Sequence, residues 1–178
     1  MATKKWVVDP THSEIQFKVK HLMITNVTGS FGLFTVNAET DNEDFTKATV
    51  SFTADTGSIS TGNEQRDTHL KSADFFDAEK YPQLKFKATK YENVDNDGSY
   101  ELYGDLTIKD VTRQVKLSVE FGGVAKDPWG NTKAGFTISG KINRKDFGLT
   151  WNAATETGGV LVSDEVRINA EIQLLEQQ

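Results

Sequence analysis

The stretch "THSEIQFKVKH", residues Thr11–His21, alternates apolar and polar side chains along most of its length. Ile15, Phe17 and Val19 fall on one face, and the residues between them are polar or charged. Successive side chains of a β-strand point to opposite faces of a sheet, so this period of two predicts a half-buried strand. The sequence therefore predicts a strand with one apolar face near the N-terminus of the chain.

The same stretch contains two histidines, His12 and His21, which raise the question of a catalytic or metal-binding pair. An odd separation places them on opposite faces, and at about 3.3 Å per residue a regular strand holds them roughly 30 Å apart. They cannot hold one metal ion together. We expect His12 to lie in the turn after Pro10 and to form local hydrogen bonds. His21 shares the inward phase, either as a satisfied histidine at the rim of the core or as a polar group that meets a ligand.

The period of two recurs and predicts about eight strands, each with one apolar and one polar face. Besides the first, the segments are Phe31–Ala38, Ala48–Ala54, Leu84–Ala88, Leu102–Ile108, Val115–Phe121, Ala134–Ile142 and Val166–Leu174. Gly29 and Gly32 break the phase of the second strand, which predicts a bend or bulge. The segments "DNDGS" (Asp95–Ser99) and "ETGG" (Glu156–Gly159) are typical of connections. Short connections favour antiparallel, up-and-down neighbours.

One segment, Asn63–Gln83, does not alternate. Its first part suits a short helix opened by Asn63, and "DAEKYP" suits another helical turn before Pro82. We expect this insertion to cover one end of the sheet. Eight amphipathic strands can form a sandwich or a closed barrel that encloses a small ligand, and periodicity alone leaves both open.

Composition excludes several classes of function. The 178 residues carry a formal net charge of -6, which argues against nucleic-acid binding, and the absence of cysteine excludes disulfides and thiol chemistry. No P-loop, G-x-G-x-x-G or G-x-S-x-G motif occurs. Neither a secretory signal nor a stretch long enough to span a bilayer is apparent, so we expect one cytoplasmic domain over residues 1–178 without a cofactor or metal.

Candidate binding residues are the large apolar side chains in inward phases. Their roles remain open at this stage, because core packing and the lining of a cavity use the same phase. The candidates for an apolar lumen are Phe17, Val19, Phe34, Phe52, Phe86, Leu106, Leu117, Phe136, Ile138 and Ile168. Three polar residues, His21, Arg66 and His69, are candidates to receive a polar head group.

Several motifs together resemble one known family. They are "WVVDPTHSEIQFKVKH", "GSFG", "RDTHLKSADFFDAEKYPQLKF", "GDLTIKDVTRQVKL" and "INRKDFGLTWN", in this order over nearly the whole chain. The sequence is similar to the YceI-like, polyisoprenoid-binding family. The resemblance implies an all-β, eight-stranded, lipocalin-like antiparallel barrel with a short helical insertion around residues 63–82. It also implies a homodimer that holds an isoprenoid or similar amphiphile in its lumen, and no catalytic residues.

We therefore predict a protein that binds a long-chain lipid, such as a polyisoprenoid, a prenyl quinone or its precursor, or a fatty amide, for transport, storage or sequestration. Two alternatives remain. One is a hydrolase or isomerase that acts on such a ligand in the cavity. The other is an adaptor whose barrel is filled by its own side chains.

Overall fold

The computed structural model describes residues 3–152 and 161–177, which form a closed antiparallel β-barrel. The strands in this part of the chain are β1 (Thr3–Val8), β2 (Glu14–His21), β3 (Thr25–Phe31), β4 (Phe34–Asp41), β5 (Asp44–Asp55), β6 (Ile59–Ser60), β7 (Gln83–Glu92), β8 (Tyr100–Ile108), β9 (Val111–Lys126), β10 (Thr132–Asn143) and β11 (Val162–Glu176). One α-helix, α1 (Glu64–Lys71), follows β6.

The eleven segments make eight barrel strands, because three strands are each broken into two parts. Both β1 and β2 pair antiparallel with β11, so they are two halves of the first strand. In the same way β4 pairs with β1 and β3 with β2, and next to them β5 pairs with β4 and β6 with β3. The remaining strands β7 to β11 follow in chain order, and the pairing of β11 with β1 and β2 closes the ring. The predicted eight-stranded up-and-down barrel is confirmed.

The break in the first strand is a 3-10 turn at Pro10–His12. The Asp9 carboxylate caps this turn by accepting a hydrogen bond from the backbone N–H of Thr11 at 3.1 Å. It also lies 2.9 Å from Nδ1 of His12 and 2.7 Å from Nζ of Lys133. The local hydrogen-bonding role predicted for His12 is therefore confirmed.

The break in the second strand falls at Gly32, between β3 and β4, as the disrupted phase indicates. The backbone N–H of Gly32 bonds to the carbonyl of Ser58 in the neighbouring 3-10 turn at Thr56–Ser58. Gly29 has a different role: it lies inside β3 opposite Phe17, and a Cβ there would come within 2.3 Å of the Phe17 ring. The glycine leaves room for that ring to lie across the strand.

The insertion is only partly helical. Asn63 opens α1 with its side chain, which accepts a hydrogen bond from the backbone N–H of Arg66 at 2.9 Å, as predicted. The segment "DAEKYP" forms a single turn, closed by a hydrogen bond from the backbone N–H of Tyr81 to the Asp77 carbonyl at 2.8 Å, and not a longer helix. Asp77 takes a left-handed backbone conformation with φ of 48°, and Pro82 supplies no N–H to continue a helix.

The two ends of the barrel differ. One end carries the β4–β5, β7–β8 and β9–β10 hairpins, and the predicted "DNDGS" turn lies in the second of these. The other end carries the β2–β3 hairpin, α1 and the segment after β10. We call the first the closed end and the second the mouth, for the reasons given below. The predicted connection at Glu156–Gly159 lies outside the described residues.

Candidate functional site

The barrel encloses a cavity of about 430 Å³ whose wall is almost wholly apolar. Nine of the ten candidate lumen residues line it, and they come from seven of the eight barrel strands. They are Phe17, Val19, Phe52, Phe86, Leu106, Leu117, Phe136, Ile138 and Ile168. The inward-facing side chains of the strands thus line an open space as well as forming a packed core.

Phe34 does not line this cavity, which corrects its prediction as a lumen residue. It is the first residue of β4, next to the break in the strand, and its inward phase places its half-buried ring 6.3 Å from the ring of Phe52. Val36, two residues further along the strand, lines the cavity instead.

Aromatic rings seal the closed end. Phe45 is central there, with ring centroids 4.9 Å from Trp6, 5.0 Å from Phe136 and 5.8 Å from Phe121. Trp6 is fully buried and donates from its indole N–H to the hydroxyl of Thr40 at 2.9 Å. These contacts pack the aromatic side chains of the closed end against one another.

Nearby, Tyr91 and Tyr100 contact each other edge to face with centroids 4.9 Å apart. The Tyr91 hydroxyl donates to the carbonyl of Ala48 at 2.6 Å. Burial raises the pKa of Tyr91 to about 12 and that of Tyr100 further. Both phenols therefore stay neutral at physiological pH and belong to the structural wall.

The mouth carries the polar part of the cavity lining, and the structure brings the three predicted head-group residues together there. His21, Arg66 and His69 all border the cavity. Within residues 3–152 and 161–177, no group hydrogen-bonds the His21 imidazole, so this side chain is available to a ligand. Arg66 folds back onto Thr61, donating from Nε to the hydroxyl at 2.7 Å and from Nη2 to the carbonyl at 2.9 Å.

His69 is held more firmly than its place on a solvated helix suggests. Its Nε2 lies 2.8 Å from the Asp74 carboxylate, and its ring meets Trp151 and Phe75 edge to face at 4.7 and 5.2 Å. Phe75 and Trp151 themselves border the cavity. The insertion is thus clamped against the segment after β10 by an aromatic contact at the mouth.

The pattern of strands gave no sign of Arg144, which also borders the cavity at the mouth. This side chain is only 3% exposed and donates to the carbonyls of Ser163, Leu149 and Trp151 at 2.9, 2.6 and 2.8 Å. Burial lowers the pKa of the guanidinium, and the Asp164 carboxylate stands 3.9 Å away. Arg144 ties the segment after β10 to the start of β11 and leaves a positive charge in the cavity wall.

Among the described residues, no cluster of histidine and carboxylate side chains could hold a metal ion. No helix in the same part of the chain is long and apolar enough to cross a membrane.

The comparison with known proteins agrees with this architecture. The model of the YceI-like domain matches residues 6–174, which is nearly the whole chain. The chain belongs to the YceI-like family. Its curated relatives include the UPF0312 proteins of Staphylococcus epidermidis, 42% identical over 95% of this chain and 96% of the relative, and of Staphylococcus aureus N315, 40% identical over 93% and 94%.

Solved structures give the same fold. Burkholderia cenocepacia BcnA matches with a TM-score of 0.77 at 25% identity over 93% of this chain and 98% of BcnA. The Campylobacter jejuni YceI protein matches with a TM-score of 0.75 at 37% identity over 89% and 90%. A polyisoprenoid-binding domain from Saccharophagus degradans shares the fold with a TM-score of 0.64, at 12% identity over 97% and 98%.

Proposed function

We propose that this YceI-like chain is a non-catalytic carrier that binds one long-chain amphiphile of the isoprenoid or fatty class in its barrel. The observation that carries the proposal is the enclosed apolar cavity of about 430 Å³. This volume falls within the roughly 300–1,000 Å³ of pockets that bury small organic ligands. One end is sealed by aromatic rings, and the other is bordered by polar side chains, which matches a molecule with a tail and a head.

The size of the cavity argues against a barrel filled only by its own side chains. Packed protein interiors contain few voids larger than a water molecule, and a space of about 430 Å³ far exceeds that size. Apolar cavities stay dry and take apolar guests. In this proposal a bound tail acts as part of the hydrophobic core, and the cavity favours the carrier over the adaptor with a filled barrel.

Burial of the tail supplies the affinity. Each buried methylene contributes roughly 0.8 kcal/mol, so about fifteen carbons give on the order of 12 kcal/mol before association costs. Those costs are several kcal/mol, which leaves micromolar or tighter binding within reach without a strong polar contact. One methylene more or less changes affinity only modestly, so selection among tails is weak.

The head group is proposed to rest at the mouth beside His21, whose imidazole is unpaired within the described residues. Arg66 and His69 border the same opening but are engaged with Thr61 and Asp74. His21 is therefore the first of the three to test. The ligand itself serves in place of any cofactor in this proposal.

The hydrolase or isomerase alternative rests on the His69–Asp74 pair, the mouth's one histidine–carboxylate contact within the described residues. Asp74 engages Nε2, and the two neighbouring hydroxyls, of Thr68 and Ser72, donate to the backbone carbonyls of Glu64 and His69 instead of the His69 ring. This geometry offers no nucleophile with a positioned base. Incubation with long-chain esters, followed by chromatography, tests this alternative, and the carrier proposal predicts no His69-dependent product.

Membership of the YceI-like family supports a lipid ligand, whereas the polyisoprenoid-binding domain from Saccharophagus degradans supports the barrel fold alone at 12% identity. A role in transport, a homodimeric state and a cytoplasmic location stay predictions. Light scattering after size-exclusion chromatography measures the number of chains per assembly, and fractionation of the source cells measures the location.

The direct test is extraction of the purified protein with organic solvent, followed by mass spectrometry. The carrier proposal predicts about one amphiphile per chain, or stoichiometric uptake when empty protein is offered prenyl quinones or fatty amides. Protein that is repeatedly empty and takes up neither class would refute it. His21→Ala is expected to keep the tail but weaken binding of ligands with polar heads relative to headless hydrocarbons.

A further inference from the structure

The β2–β3 hairpin ends in three consecutive exposed apolar side chains, Leu22, Met23 and Ile24. Their exposed fractions are 40%, 52% and 78%. The hairpin belongs to the mouth, because His21 and Val27 on its two strands border the cavity. Apolar side chains that project together from a tip, instead of packing on the barrel, mark a surface with something to contact.

The backbone of this tip is itself unusual. Leu22 and Met23 both take left-handed conformations, with φ of 53° and 61°, and the N–H of Ile24 closes the turn on the carbonyl of His21 at 3.1 Å. Turns with two left-handed residues strongly favour Asn-Gly, since side chains such as Leu and Met are strained there. The chain thus holds two bulky apolar residues where turn geometry favours small or polar ones.

Basic side chains flank the tip. Lys20 is exposed and Lys18 half-buried on β2, and neither has an ion-pair partner among the residues that the structure describes. On the adjoining start of β11, the Asp164 carboxylate lies 3.4 Å from Nζ of Lys145, and Glu165 lies 3.5 Å from Nε of Arg167. Those carboxylates are neutralised locally, so positive charge stands next to the apolar tip.

The lysines beside the tip attract a negatively charged surface, which favours an orientation with the mouth toward that surface. At the closed end, by contrast, Glu43 and Glu39 of the β4–β5 hairpin are paired with lysines, at 3.3 Å from Nζ of Lys4 and 4.0 Å from Nζ of Lys5.

We propose that the tip Leu22–Ile24, with Lys18 and Lys20, docks the mouth onto an anionic lipid bilayer. Three side chains on a convex hairpin fall far short of the roughly 800 Å² per partner of a stable protein interface. A bilayer needs no complementary shape, and apolar residues beside basic ones are the combination that binds its interface.

Docking at a membrane would serve the proposed carrier function, and this part of the docking proposal rests on that function. A tail with about fifteen carbons exposes its apolar surface if it leaves a membrane through water, which lowers the rate of transfer by many powers of ten. A tip inserted beside His21 places the opening of the cavity at the lipid surface. The ligand then exchanges one apolar environment for another.

The test is sedimentation of the full chain with vesicles made of equal parts phosphatidylglycerol and phosphatidylcholine, without added ligand. The decisive variant is Leu22→Asn with Met23→Gly and Ile24→Thr, because Asn-Gly suits the turn and preserves the fold. Its partition onto vesicles should fall at least about tenfold, since three apolar side chains are removed. The matched control is Trp129→Ser, which removes an 83% exposed apolar side chain at the closed end and should change nothing.

Wild-type protein should also bind less to pure phosphatidylcholine and less at high salt, as attraction between lysines and phosphates requires. The docking proposal is overturned if wild-type protein stays in the supernatant, or if the triple variant sediments as well as wild type. A tip that dimerises the chain would instead show as a lower mass of the variant in light scattering. Uptake of a ligand added from an ethanol solution separates the two proposals. If wild-type protein binds vesicles but takes up no ligand, only the carrier proposal is refuted.

Discussion

Replacement of Ile138 by tryptophan tests whether the space beside it is open. Ile138 lies in the middle of β10, opposite Val119 and Ala170, and borders the cavity. Tryptophan has six more side-chain heavy atoms than isoleucine, so it occupies the room of about six ligand carbons. At roughly 0.8 kcal/mol for each, the long-tailed ligand loses up to about 5 kcal/mol of binding free energy.

The structure predicts opposite effects on binding and on stability. Because the added ring enters an unfilled cavity, the free energy of unfolding of the empty protein should stay constant or rise. A ligand whose tail is about six carbons shorter should bind the variant as well as it binds wild type. Ser139→Trp is the matched control, since this neighbouring residue is exposed on the outer face and should alter neither quantity.

The assay is titration of empty protein with a series of long-chain alcohols, read by calorimetry, beside urea unfolding of each variant. The reasoning fails if Ile138→Trp lowers the free energy of unfolding by the 1–3 kcal/mol typical of overpacking while binding of long tails is unchanged. That pair of results would mean that side chains fill the space next to Ile138 and that the ligand binds elsewhere.

Three further predictions concern the framework around the cavity. The hydrogen bond from Lys133, with help from Thr11 and His12, holds the pKa of Asp9 well below its usual range, so Asp9 stabilises the fold above about pH 4 and this contribution is lost as pH falls toward the lowered pKa. Asp9→Asn should therefore lower the free energy of unfolding by about 1–3 kcal/mol in urea unfolding at pH 7, and the difference from wild type should shrink below about pH 4. Arg144→Met should lower the free energy of unfolding by about 3 kcal/mol or more, because it leaves several backbone carbonyls without donors, and an unchanged urea midpoint would contradict the contacts described. Asn63→Ala should cost about 1 kcal/mol and raise hydrogen exchange in the first turn of α1, whereas equal exchange would show that the cap is dispensable.

The strands could be predicted from sequence because their side chains alternate so regularly, whereas the choice of a barrel over a sandwich came from the family resemblance. The period of two missed β1, β3 and β6, each of which is one part of a broken strand. In β1, Lys4 shares the inward phase of Trp6, yet it sits at the rim and pairs with Glu176 at 3.0 Å. A lysine in the apolar phase, with Pro10 close behind, conceals so short a segment.

The site was less accessible to sequence reasoning than the fold. Alternation tells which side chains face inward, but it does not tell which of them meet open space, so Phe34 and Val36 have the same phase and different surroundings. Arg144 lies in a turn, where neither period applies, and its burial depends on carbonyls brought together from two segments of the chain. The family motif "INRKDFGLTWN" includes Arg144, but the motif does not tell where the side chain of Arg144 lies.

The most direct test of the account is a crystal structure with a long-chain alcohol that carries bromine at the end of its tail. We predict one anomalous peak inside the barrel, at the closed end near Phe45, Phe121 and Phe136, with the hydroxyl toward His21. A bromine peak on the outer surface, with the cavity empty, would contradict it.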